Sequence, residues 1–161
     1  MVPEITLLAV TLLALLLLKW KHKAFRFAQA ARIGMAAMLF VTGGAHFGFA
    51  KGMAMMLPEA VPFKMGIVYL TGILEIAAGV GLLIPKMAAR TGWWLIAFFV
   101  CITPANIYAA MHHVNLETAS YDGNGPAYLW FRLPLQLVFI GWVYFSAIRP
   151  PAVPRVAGHL V

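Results

Sequence analysis

Residues 66–84 read GIVYLTGILEIAAGVGLLI, an apolar run that contains one acidic residue, Glu75. A helix that spans a bilayer needs about 20 mostly apolar residues. Three further runs have this character, at 32–50, 92–112 and 127–148. Together the four runs predict a four-helix transmembrane bundle.

The composition excludes most soluble proteins. The 161 residues are 63% hydrophobic and 11% charged, and the mean hydropathy is +0.86. A soluble domain is about 45–50% apolar and about a quarter charged. A soluble enzyme, a disordered tail and a nucleic-acid-binding arm are therefore excluded. The single cysteine, Cys101, excludes an intramolecular disulfide and a cysteine-based cluster.

A fifth apolar run, residues 5–18, comes before the four spans. A secretory signal peptide carries positive charge before its apolar core and small residues at a cleavage site after it. Here Glu4 precedes the run and the basic segment 19–23 follows it. We therefore expect a retained transmembrane helix, with a cleaved signal or a surface-lying helix as alternatives.

The expected fold is an all-α integral membrane protein with one membrane domain over residues 1–161. It comprises an additional N-terminal helix at 1–20, a four-helix bundle at 30–148 and a cytoplasmic tail at 149–161.

The loop charges predict the orientation, because cytoplasmic loops carry an excess of Lys and Arg. Alternate loops and the C-terminal tail place nine of these residues on one side, whereas the other side has only Lys51 and Lys64. We expect the N-terminus outside and the C-terminus in the cytoplasm of a bacterial cell, with the protein integral to the plasma membrane.

Two ionisable residues fall within predicted spans, where charge is costly and often functional. Glu75 lies near the middle of one span, and Arg132 lies near the outer end of the last. We interpret them as a candidate proton-handling pair with a catalytic role. The alternatives are a structural ion pair and an interfacial arginine that extends toward water.

Four more polar residues are candidates for binding a ligand: His46, Asn106, Gln136 and Tyr108. In the predicted topology, His46, Asn106, Arg132 and Gln136 lie in the outer half of the membrane, and Glu75 lies just below them. This common level predicts a polar pocket within the bundle, although hydrogen bonds between helices would use the same residue types.

Two threonines share helix faces with these candidates: Thr42 lies one turn before His46, and Thr103 lies near Asn106. On another face of the predicted span at 32–50, Gly44 and Gly48 form a G-x-x-x-G spacing, which predicts a close helix contact.

The sequence indicates neither a metal site nor an encoded redox cofactor. Met53, Met55 and Met56 are soft ligands of the kind that bind Cu(I), and His112-His113 could join them. Methionine is also a common filler of apolar surfaces, so we predict no metal site. Dinucleotide, P-loop, haem-attachment and zinc-protease motifs do not occur in the sequence.

Several segments resemble motifs of the DoxX-like membrane proteins. They are GGAHF at 43–47, MLP at 56–58, YLTGILEI at 69–76, TPANIY at 103–108 and RLPLQ at 132–136. The resemblance covers about residues 30–147 and implies a four-helix membrane bundle. The family takes its name from a subunit of a thiosulfate:quinone oxidoreductase, and related members act in redox maturation or assembly. The additional apolar run at residues 5–18 is a departure from the four-helix pattern of the family.

Three functions are consistent with the sequence. The first is binding of a quinone or another lipid-soluble small molecule, as a subunit or accessory of a membrane redox system whose partner protein supplies electrons. The second is a non-catalytic scaffold or assembly factor. The third is a proton-transfer isomerase that acts on a hydrophobic substrate. A nucleic-acid partner is not expected.

Overall fold

A computed structural model describes residues 2–150 of the chain. The described part contains six α-helices and no β-strand. The helices are α1 (Val2–His22), α2 (Phe27–Gly48), α3 (Ala50–Met55), α4 (Lys64–Leu83), α5 (Ala88–Met111) and α6 (Leu129–Val143). A 3₁₀ turn at Pro126–Tyr128 precedes α6, and a π-helical turn at Tyr144–Ile148 follows it.

The protein is an all-α membrane protein, as predicted. Four helical segments of the described chain are long and apolar enough to cross a bilayer: α1, α4, α5 and the continuous helical segment Pro126–Ile148. The long helix α2, predicted as a span at 32–50, is not among these four. It packs between α1 and α4, so part of its surface meets protein rather than lipid.

The N-terminal apolar run forms the 21-residue helix α1. It packs mainly against α2, where a Cβ on Gly34 would collide with the side chain of Thr11. Leu8, Leu12 and Leu16 are more than half exposed on its outer side. In a membrane this apolar surface faces lipid, which fits the predicted additional helix.

Helices α2 and α4 pack closely in antiparallel order. A Cβ on Gly43 would lie 2.8 Å from Ile76 Cγ1 and 2.9 Å from the Gly72 carbonyl oxygen. A Cβ on Gly72 would lie 2.6 Å from His46 Cβ. Glycine is thus required on both helices, because any larger side chain would force the backbones apart.

The prediction of a close contact at Gly44 and Gly48 is wrong. Both are exposed, and a Cβ at either position would meet no atom within 4 Å. The G-x-x-x-G spacing identified small residues on α2, but the contact lies on the adjacent face at Gly43.

The antiparallel helices divide the bundle into two ends. The basic end comprises residues 23–26, residues 84–87 and Arg149. The opposite end, called the loop end, comprises α3 and residues 112–125. Lys51 and Lys64 lie at the loop end. The segment 151–161, with Arg155 and most of the predicted tail, lies outside the described residues.

The apolar core occupies the half of the bundle nearer the basic end. Its largest fully buried side chains are Met35 and Leu39 of α2, Leu82 of α4, Leu95 of α5 and Val143 of α6. The buried polar side chains of Asn106 and Gln136 lie nearer the loop end. The candidate site therefore lies on the loop-end side of a closely packed apolar core.

The glycine contact generates a stability prediction. We expect Gly43→Ala to lower the unfolding free energy by about 1–3 kcal/mol, because the new methyl group meets backbone that cannot move aside. Gly44→Ala is the matched control, since its methyl group enters open space. Thermal unfolding of both variants in detergent checks this, and equal melting temperatures would contradict the close contact.

Candidate functional site

The first polar cluster joins α2 to α4 around Glu75. The Glu75 side chain is buried, and the Thr42 hydroxyl of α2 donates a hydrogen bond to its Oε2. One turn further along α2, Nδ1 of His46 lies 2.8 Å from the Thr42 carbonyl oxygen. His46 packs against α4 at Gly72, three residues before Glu75. The predicted site residues Glu75 and His46 thus share one interface.

Arg132 of α6 lies at the level of this cluster, and the hydrogen bond to the Glu75 carboxyl comes from Thr42 of α2. Trp142 of α6 donates a 3.0 Å hydrogen bond to the Ala31 carbonyl of α2. Arg132 lies ten residues before Trp142, and Thr42 lies eleven after Ala31. Each helix rises about 1.5 Å per residue, and the two helices run in opposite directions. Arg132 and Thr42 therefore lie at a similar level along the bundle.

The second polar cluster joins α5 to α6. Asn106 and Gln136 are buried, and Asn106 Nδ2 donates to Gln136 Oε1 at 3.3 Å. Gln136 Nε2 donates to the Thr103 hydroxyl at 2.9 Å and to the Phe99 carbonyl oxygen. Gln136 thus makes three side-chain hydrogen bonds, whereas the Asn106 side chain makes one, to Gln136.

Pro104 shapes α5 beside this second cluster. Proline has no N–H, so it cannot donate to the carbonyl of Val100, and its ring crowds that turn of the helix. The carbonyl oxygen of the neighbouring residue, Phe99, accepts a hydrogen bond from the side chain of Gln136. The Thr103 hydroxyl donates to the same carbonyl at 3.0 Å and accepts a hydrogen bond from Gln136, so it links α5 to α6.

An open groove of about 690 Å³ runs along α5 at this point. Its size falls within the range of about 300–1,000 Å³ that is usual for small-molecule sites. Its walls are mostly apolar and come from Pro58, Val100, Pro104, Ile107 and Met111. The polar groups at its surface belong to Thr103, Tyr108 and His112.

Tyr108 and His112 form a stacked pair at the loop end of the groove, with ring centroids 3.9 Å apart. His112 Nδ1 lies 2.9 Å from the Tyr108 carbonyl oxygen. Because a carbonyl only accepts, Nδ1 carries the proton and Nε2 of the neutral ring can accept one. The groove therefore presents a phenolic donor and an imidazole acceptor.

The structure divides the predicted site residues between two clusters and a groove. Glu75 and His46 belong to the first polar cluster, Arg132 lies at its level on α6, and Asn106 pairs with Gln136 between α5 and α6. Tyr108 lines the groove instead of either cluster. The sequence analysis noted Thr42 and Thr103 but did not select them as site residues. Their spacing from His46 and Asn106 was the available signal.

The loop at 112–125 closes the loop end beside α3. A Cβ on Gly52 would collide with the backbone of Leu116, so glycine permits the loop to approach α3 closely. Within the loop, the Ser120 hydroxyl donates to Asp122, and this bond holds the pKa of that carboxyl below its ordinary value. Among the residues that the structure describes, no three or more His, Cys, Asp or Glu side chains gather to hold a metal ion.

A family model described as "Domain of unknown function (DUF8561)" matches residues 35–147. The chain belongs to this family. The matched residues include both polar clusters, the groove on α5 and the loop at 112–125, whereas α1 precedes them. No curated protein and no solved structure matches the chain.

The amide pair generates a second stability prediction. Gln136→Leu leaves the buried Asn106 amide without its partner, so we expect a loss of about 1–3 kcal/mol in unfolding free energy. Asn106→Leu should have a comparable effect. The double variant should cost less than the sum, because neither amide is then left unpaired. Unfolding of the three variants in detergent measures this coupling, and additive losses would contradict a direct bond.

The loop generates a pH prediction. A lowered pKa of Asp122 means that the loop contacts contribute stability above the ordinary pKa and lose it as the pH falls through the lowered value. Ser120→Ala should move the pKa of Asp122 back toward the ordinary value, and Thr118→Ala should move it less. An NMR titration of the Asp122 carboxyl measures both, and an unchanged pKa in Ser120→Ala would contradict the assignment.

Proposed function

We propose that this protein binds a lipid-soluble small molecule, of the quinone type, in the groove on α5. The observation that carries the proposal is the groove itself, with apolar walls and three polar side chains near Pro104. Pockets for small molecules combine an apolar lining with a few polar groups that fix orientation. The Tyr108 hydroxyl can donate to a carbonyl oxygen, and His112 Nε2 can accept from a hydroxyl.

The second polar cluster supports this location. The Thr103 hydroxyl lines the groove and also accepts a hydrogen bond from Gln136, which in turn accepts one from Asn106. A bound molecule at Thr103 would therefore contact the end of a hydrogen-bonded chain between α5 and α6. The two buried amides act in this proposal as support for the groove wall.

The proposal includes a place in the cell. We assign the protein to the bacterial plasma membrane as a DoxX-like subunit or accessory of a redox system, in which a partner protein supplies electrons. The basic end would face the cytoplasm, because most of the loop Lys and Arg residues lie there. The loop at 112–125 and the polar end of the groove would then lie at the outer surface.

The second candidate function is a non-catalytic scaffold or assembly factor. One observation favours it specifically: Asn106 and Gln136 bond to each other and to α5. Amides that are paired in this way stabilise helix packing without any ligand.

The binding proposal predicts a ligand-dependent stabilisation. A short-chain benzoquinone, added at about 100 times its dissociation constant, should raise the unfolding free energy by about 2.7 kcal/mol. Ile107→Trp should abolish the effect by filling the groove. Val138→Trp is the matched control, since Val138 is exposed on α6 and does not line the groove.

Mass spectrometry of molecules that co-purify in mild detergent complements this measurement. A quinone or another defined lipid that is present in wild type and Val138→Trp but lost in Ile107→Trp would support the site. If no compound is retained and the benzoquinone does not change the melting temperature, the scaffold function is favoured.

A further inference from the structure

A second cavity lies at the loop end, where the end of α2, the helix α3 and the loop at 112–125 meet near the start of α4. Its volume is about 320 Å³, which is within the range of about 300–1,000 Å³ that is usual for small-molecule sites. Lys51 of α3 and Glu117 of the loop both line this loop-end cavity. The described wall of the groove on α5 contains no acidic residue, lysine or arginine, so the two sites suit different chemistry.

A contact between α3 and the loop fixes the positions of these two charged residues. Gly52 is buried, and a Cβ on it would collide with the backbone of Leu116. Lys51 directly precedes Gly52, and Glu117 directly follows Leu116. The side-chain oxygen of Asn115 accepts a hydrogen bond from the backbone N–H of Glu117 at 3.1 Å. The backbone beside both charges is therefore held by contacts that leave the charged groups themselves available.

The loop-end cavity holds a cation and an anion that do not meet. Among the residues that the structure describes, the Lys51 ammonium and the Glu117 carboxylate form no ion pair and no side-chain hydrogen bond. Together they complement a ligand that carries both charges. Charge-assisted hydrogen bonds to such a zwitterion are stronger than bonds between neutral groups.

An aromatic pair forms the part of the wall that comes from α2 and α4. The rings of Phe47 and Tyr69 stack with their centroids 5.7 Å apart, and both residues line the cavity. An ammonium group is attracted to the face of an aromatic ring, and the Tyr69 hydroxyl can donate a hydrogen bond to a phosphate oxygen. The wall therefore suits a headgroup that contains a phosphate and an ammonium.

The loop-end cavity is continuous with an exposed strip of α2. Gly48 lines the cavity, and Val41, Gly44 and Gly48 lie at the spacing of one helix face. All three are exposed, and a Cβ on either glycine would meet no atom within 4 Å. In a membrane this glycine strip faces lipid and offers a shallow channel in which an acyl chain can lie. A soluble zwitterion would leave the strip unused, so the strip favours a membrane lipid.

We propose that the loop-end cavity binds the headgroup of a phospholipid with a phosphate and a primary ammonium, such as phosphatidylethanolamine, and that an acyl chain follows the glycine strip. Lys51 and the Tyr69 hydroxyl bind the phosphate, and Glu117 accepts hydrogen bonds from the ammonium. The quaternary ammonium of phosphatidylcholine has no N–H to donate, and phosphatidylglycerol has no ammonium. The site does not depend on a ligand in the groove on α5.

Native mass spectrometry of the delipidated protein in detergent tests the headgroup. Phosphatidylethanolamine should bind about tenfold more tightly than phosphatidylcholine or phosphatidylglycerol with the same acyl chains, which is the difference expected from one charge-assisted hydrogen bond. Equal affinity for the three lipids would overturn the proposal.

Two charge variants separate the roles of the side chains. Lys51→Ala should weaken binding of all three lipids, because each carries a phosphate. Glu117→Gln should weaken phosphatidylethanolamine by about tenfold and leave phosphatidylglycerol unweakened. Lys64→Ala and Glu59→Gln are the matched controls, since neither residue lines the cavity. An unchanged lipid preference in folded Glu117→Gln would contradict the assigned contact with the ammonium.

A third variant distinguishes a lipid from a soluble zwitterion. Gly44→Leu fills the glycine strip without altering the cavity wall, so it should weaken phosphatidylethanolamine binding. Gly66→Leu is the matched control, because Gly66 is an exposed glycine of α4 whose Cβ would also enter open space. Free O-phosphoethanolamine should not bind at the concentration that saturates the lipid. If it binds as tightly as the lipid and Gly44→Leu has no effect, the ligand is soluble and the lipid proposal is wrong.

The substituted positions allow these comparisons to be made on folded protein. Lys51, Glu117 and Gly44 are exposed, so the melting temperatures of their variants should stay close to that of wild type. Ile107→Trp, which fills the groove on α5, should leave phosphatidylethanolamine binding unchanged. Loss of lipid binding in that variant would contradict a separate site at the loop end.

Discussion

The close approach of α2 and α4 at Gly43 and Gly72 is the constraint on which the rest of the site depends. In a bilayer, lipid is as apolar as the helices, so tight packing and hydrogen bonds between helices hold a bundle together. Glycine at both positions brings the backbones close enough for the Thr42 hydroxyl to reach Glu75. The same approach places His46 against α4.

Two of the buried polar contacts within the bundle join neighbouring helices. Thr42 bonds Glu75 between α2 and α4, and Gln136 bonds Asn106 between α6 and α5. Most of the apolar core lies near the basic end, whereas the buried amides of Asn106 and Gln136 lie nearer the loop end.

Sequence reasoning identified the helices and the polar residues well because both depend on local properties. The first apolar run proved to be a long helix, and Glu75, Asn106 and Gln136 proved to be buried. Sequence reasoning was less accurate about which helix faces meet and which side chains lie together. It placed the close contact at Gly44 and Gly48, and it predicted one pocket where the structure has two polar clusters and a groove that meets the second cluster at Thr103.

The sequence by itself determined that the protein is helical and belongs in a membrane. The length of an apolar run and the position of basic residues are local properties, which can be read without knowing any contact between distant residues. It also determined which side chains are costly in lipid. Only the tertiary structure decided that Thr42 meets Glu75 and that Gln136 meets Asn106. These partners are 33 and 30 residues apart in the chain. Their meeting depends on how each helix is rotated by packing against its neighbours, which no local pattern specifies.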